Sequence, residues 1–175
     1  MLAFQRLYRG YGLVLRGMGA VSAVATFVMM ALVVANIAGR YLFNTPVTGT
    51  LEFTESLLVL IIFLSVALTQ YDGGHIRVTL LTRRLPGAWA QGLNVVCMLC
   101  GAAFFAWCAY AAWRFAAQAY SFNEQEWGTV VFPLWPVKFV VFAGILMLAI
   151  QFLLDAVAEM IMPIRADDES AQEHI

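Results

Sequence analysis

The chain alternates long apolar blocks with short polar punctuation, and the blocks share one length scale. Residues 17–39, 51–71, 88–113 and 137–154 each hold a nearly unbroken apolar run, and crossing a hydrocarbon core of ~30 Å as a helix takes roughly 20 residues. The pattern predicts an all-α integral membrane protein with four transmembrane helices plus interfacial amphipathic helices. Transmembrane β-strands would need segments of about ten residues that alternate apolar and polar side chains, and residues 24–35 do not alternate. Composition agrees: 62% of the residues are hydrophobic and 12% charged, more apolar than a soluble core of this length requires.

Ahead of the first block, residues 1–16 mix Leu2, Phe4, Leu7, Tyr8 and Tyr11 with Arg6, Arg9 and Arg16, as expected of a helix lying in the headgroup layer. The apolar run that follows is longer than the roughly 7–15-residue core of a signal peptide, so it reads as an uncleaved span. On it Ala31, Ala35 and Gly39 recur every fourth residue, a small-residue stripe that lets another helix approach closely. Asn36 and Arg40 share a face and suit a capped, anchored helix end. Pro46 then marks a turn, since proline disfavours helix in the residue before it.

The second block carries the most pointed chemistry. Glu52 and Glu55 share a face at its start, residues 56–71 are uncharged, and Asp72-Gly73-Gly74 ends it. A charge at mid-bilayer costs on the order of 2.5–3.5 kcal/mol on insertion scales, so two unpaired glutamates there would offset most of a span's insertion advantage. The uncharged run covers ~24 Å at ~1.5 Å per residue, which puts both glutamates at or just inside the outer membrane boundary. Arg40 is the ionic partner expected for them within the chain. A basic amphipathic segment follows, with His75, Arg77, Arg83 and Arg84 among apolar residues up to Pro86.

In the third block Ala102, Ala106 and Ala109 are expected to form a packing face, and Trp107, Tyr110 and Trp113 an aromatic anchor. Residues 114–127 are more polar, with Glu124 and Glu126, and extend the helix beyond the membrane. Pro133-Leu134-Trp135-Pro136 breaks the chain before the fourth span, and from Asp155 onward the sequence turns polar, as in a disordered tail. The expected organisation is an interfacial segment 1–16, a membrane domain 17–155 and a tail 156–175. Arg6, Arg9, Arg16, Arg77, Arg83, Arg84 and Arg165 fall on one side, against Arg40, Arg114 and Lys138 on the other. The positive-inside rule then makes both termini cytoplasmic.

Other chemistries find little support. Cys97, Cys100 and Cys108 all lie in the third block without histidine or charged neighbours and read as small packing residues. His75 and His174 are too far apart in the pattern for a haem or metal pair within the spans. There is no nucleotide loop, no nucleophile and base pair, no basic cluster for nucleic acid, and no internal repeat of the kind that builds many transporters. An enzyme is not expected, and the chain reads as one built to pack against something else.

Taken in order, the paired Glu52 and Glu55, the apolar span, His75-Ile76-Arg77-Val78 and the basic stretch ending Leu85-Pro86 resemble the small membrane subunit, of DctQ type, of tripartite ATP-independent periplasmic (TRAP) transporters. Arg40-Tyr41 and Pro133-Leu134-Trp135-Pro136 are similar to that family too, so the resemblance covers residues 17–154. Thr79 departs from it, where the family commonly has an acidic residue, and no role of that acid carries over.

The resemblance implies a partnership. A soluble periplasmic solute-binding protein captures an organic acid and delivers it to a large multi-span membrane subunit, which holds the substrate and sodium sites and works as an elevator driven by the ion gradient. The small subunit packs on the large one's scaffold in the bacterial inner membrane, with no substrate site and no cofactor of its own, sodium being bound by the partner. On this reading Arg40, Glu52 and Glu55 are candidates for the subunit interface or docking surface, and His75 and Arg77 for a cytoplasmic-edge contact with membrane lipids. The alternatives are an autonomous four-span proton-coupled multidrug exporter, which would need its carboxyl deep in the bundle, and a structural subunit of another membrane complex.

Overall fold

The computed structural model describes residues 2–72, 87–126, 128 and 130–161. They form α1 (Leu2–Leu42), α2 (Thr50–Tyr71), α3 (Gly87–Ser121), a two-residue antiparallel hairpin of β1 (Gln125–Glu126) and β2 (Phe132–Pro133), and α4 (Trp135–Ile161). All four helices are long and apolar enough to cross a membrane. His75, Arg77 and Thr79, the glycines that follow Asp72, the basic stretch up to Pro86, and the tail from residue 162 lie outside the described residues.

Close approaches fix the arrangement. Ser22 on α1 donates to the Ile61 carbonyl of α2 at 2.9 Å, while Gly12 faces the Tyr71 ring, so α1 and α2 run antiparallel. Gly101 faces Phe152, and Trp113 packs on Phe139 and Phe142, which makes α3 and α4 antiparallel as well. The two pairs join through α2 and α4, which run parallel and come into close contact where Gly144 meets the Phe63 carbonyl. A side chain at position 144 would collide with backbone rather than with a movable group. The central pair is therefore α2 and α4, with α1 packed on the first and α3 on the second.

Helix α1 is continuous through Arg16 and Gly17, where the hydropathy pattern suggested a change from interfacial segment to span. Its 41 residues cover about 60 Å at ~1.5 Å per residue, twice a hydrocarbon core, so part of it must extend beyond the membrane. No proline interrupts it, and isolated glycines weaken a helix without breaking it. Among the residues of α1 whose side chains are described, the buried positions are Gly12, Leu15, Ser22 and Ala25, while Phe27, Met30, Val34 and Ile37 are exposed.

Three details depart from the sequence expectations. The buried alanines of α3 are Ala102, Ala109, Ala116 and Ala119, whereas Ala106 is exposed. The first three repeat every seven residues, the spacing of two helices crossing at a shallow left-handed angle, and position 106 falls off that seam. Cys97 and Cys100 are likewise exposed rather than packed within the bundle. Finally, α4 does not stop near residue 154 but runs to Ile161: in its last turns the Asp155 carboxylate is bonded inside the bundle and Glu159 is buried.

Candidate functional site

The bundle has a polar assembly at each end. At the hairpin end α1 closes with the Gly39 carbonyl accepting from the Phe43 and Thr45 amides at 3.2 and 3.0 Å. Asn36 Oδ1 accepts from the Val47 amide at 3.0 Å, so Asn36 does organise a helix end, by holding the connection that follows. Gly49 then starts α2 with φ of 83°, a left-handed conformation that a side chain would strain.

Glu52 sits in the first turn of α2, where the helix dipole favours a negative charge, and is 6% exposed. Its cover is the connection between α3 and α4. Gly128 lies directly against the Glu52 carboxyl, leaving no room for even a methyl group. Val130 touches Gly49, and Phe132 packs edge-on to Phe53 with ring centroids 5.6 Å apart. The hairpin itself is anchored by Leu134 donating to the Glu124 carbonyl at 3.0 Å and by the ion pair of Lys138 with Glu124.

The other sequence-predicted residues of this end stand apart from Glu52. Glu55 and Arg40 are exposed, and among the described residues Arg40 forms no ion pair with either glutamate. The expected pairing fails for a geometric reason: the space over Glu52 is already filled by the hairpin. One acid is thus enclosed by the chain itself, while the second acid and the arginine are left on the surface. A two-residue ladder with only a few flanking contacts has almost no periodic signal, and the hairpin was not legible in advance.

The opposite end holds a network that pattern reading missed. Asp155 on α4 accepts from Gln151 Nε2 at 2.7 Å, from Gln70 Nε2 of α2 at 2.9 Å and from the Tyr8 hydroxyl of α1 at 3.2 Å. Gln151, fully buried, also donates to the Tyr8 oxygen at 3.3 Å. The Tyr11 hydroxyl donates to the Met147 carbonyl, and Tyr8 stacks on Tyr71 at 5.1 Å. Gln91 of α3 donates to the Glu159 carbonyl at 3.0 Å. Every helix therefore contributes to this end. The available signal was Gln151 and Asp155 at i,i+4 on a helix, matched by Gln70 at the same end of α2.

Among the described residues no group of three or more histidine, cysteine, aspartate or glutamate side chains could hold a metal ion. What the arrangement does chemically is shield carboxylates from lipid, by a loop at one end and by amides and phenols at the other. That defines a class: an all-α, multi-pass membrane protein whose buried polar groups serve the packing of helices. The chain belongs to the DctQ family: residues 29–161 match the family described as tripartite ATP-independent periplasmic transporters, DctQ component. It is thus a small membrane subunit of a TRAP transporter and is non-catalytic. No curated protein matches the chain. The family match includes Glu52, Gln70, Gln151 and Asp155 but begins beyond Tyr8 and Tyr11.

Proposed function

We propose that this chain packs on the scaffold of the large membrane subunit of a TRAP transporter in a bacterial inner membrane. There it supports sodium-coupled uptake of an organic acid delivered by a periplasmic solute-binding protein. Both termini are cytoplasmic on this reading, so the hairpin end faces the periplasm. Its exposed Arg40 and Glu55 serve as contacts for the large subunit or the docking protein, and Glu52 shapes that surface by holding the hairpin. His75 and Arg77 contact lipid headgroups at the cytoplasmic edge. The substrate and sodium sites belong to the large subunit.

The observation that carries the reading is the asymmetry at the hairpin end, where Glu52 is buried against Gly128 while Glu55 and Arg40 are exposed. Exposed charges of both signs at the end that carries the hairpin are suited to recognising a partner surface, through which charge mainly sets specificity and encounter rate. The test is uptake by the reconstituted transporter. Glu55→Gln and Arg40→Gln should leave the small subunit folded and weaken either recovery of the large subunit or the response of uptake to binding protein. If both variants keep full assembly and full uptake, the interface role of these residues is withdrawn.

A further inference from the structure

We propose that the exposed face of α3 near the hairpin end is a phospholipid site, with the headgroup phosphate on Arg114 and an acyl chain lying along Tyr110 and Trp107. Trp107, Tyr110, Ala111, Arg114 and Gln118 fall within one arc of the helix, as their i,i+3, i+4 and i+7 spacing requires, and all are exposed. Trp107 is 77% and Tyr110 64% exposed. Among the described residues Arg114 has no acidic partner: the ion pair nearby joins Lys138 to Glu124, and Lys138 is further held over the Phe115 ring at 3.9 Å.

Depth favours a headgroup over a neighbouring helix as the occupant. Arg114 lies seven residues before Ser121, the last residue of α3, about 10 Å along the axis at ~1.5 Å per residue. Trp113 lies at that level, and Tyr120 and Trp135, packed on each other, lie about 9 Å nearer the helix end at ~1.5 Å per residue, so Arg114 sits just inside a belt of the amphipathic rings that gather where hydrocarbon meets headgroups. An arginine there cannot remain unpaired in hydrocarbon, and its planar fork matches a phosphate. The size of the side chains also separates this face from that of α1. Close helix contacts in membranes use small residues, which α1 exposes at Ala31 and Ala35, whereas α3 presents bulky rings that suit a flexible chain.

The test uses the full chain, with any subunit that co-purifies, reconstituted in nanodiscs of phosphatidylethanolamine and phosphatidylglycerol and released for native mass spectrometry. The wild type should retain a phospholipid adduct through detergent exchange. Arg114→Gln should lower its retention by about tenfold, as expected for loss of one charge-assisted contact, while Arg114→Lys, which keeps the charge but not the planar fork, should lower it less. Tyr110→Leu, which spares the charge, should lower retention less and serves if Arg114→Gln does not fold. A photo-crosslinker at Gln118 should capture lipid. Equal retention in Arg114→Gln and the wild type, or capture of a protein instead of lipid at Gln118, would overturn the proposal.

Discussion

The two ends of the bundle bury a carboxylate by different means. At the hairpin end Glu52 is covered by a connection whose small residue, Gly128, fits against it. At the other end Asp155 is bonded by side chains from α1, α2 and α4. A charge in a low-dielectric setting is costly unless bonded, and the two solutions carry different consequences. The helix network ties three long elements together, so that end resists separation. Among the described residues the loop cover ties the start of α2 to the connection between α3 and α4, so that end can be remodelled without dismantling the bundle. A surface that recognises other proteins is better placed on the second kind of end.

The sharpest way to break the comparison is to remove what both ends share. Gly144→Val should force α2 from α4, because the added side chain meets the Phe63 carbonyl; overpacking of this kind costs ~3 kcal/mol or more, and loss of a monodisperse folded chain in detergent is the expected result. Next comes Asp155→Ala, which removes the shared acceptor of Tyr8, Gln70 and Gln151. Unpaired buried donors cost about 1–3 kcal/mol each before relaxation, so a clear fall in thermal stability should follow. Hydrogen exchange in the first turns of α1 should rise with it as the start of that helix comes loose.

A smaller effect is expected from Gly128→Ala. The methyl group must displace the Glu52 carboxyl or the connection, at about 1–2 kcal/mol, and faster proteolysis near residue 128 with an intact helical bundle would mark the change as local. If this variant instead unfolds the chain as thoroughly as Gly144→Val, the two ends are not independent and the comparison fails. The mildest changes are Glu55→Gln and Arg40→Gln. Exposed residues away from packing usually move stability by less than about 0.5 kcal/mol, so any large effect of these should appear in assembly and uptake, not in melting.

The sequence and the structure agree most where a single helix decides the outcome. The four spans were legible because length and hydropathy alone settle them, and Asn36 was legible as an end-of-helix residue because its role is local. Relationships between helices were not. Asp155 looked like the first residue of a polar tail, since nothing within α4 shows that Gln70 and Tyr8 are waiting for it. Ala106 looked equivalent to Ala102 and Ala109, but the buried seam repeats every seven residues and continues to Ala116 instead. Arg40 looked like the partner of Glu52 until the hairpin took that place.

The most direct test of the account is what this chain binds in its native membrane. A tagged copy extracted in mild detergent should bring down one large multi-span protein in stoichiometric amount, and the pair, reconstituted, should take up an organic acid only with sodium and a soluble binding protein. Recovery of the chain alone, as a homodimer that binds lipophilic cations, would contradict the account and make Glu52 and Glu55 a transport site instead.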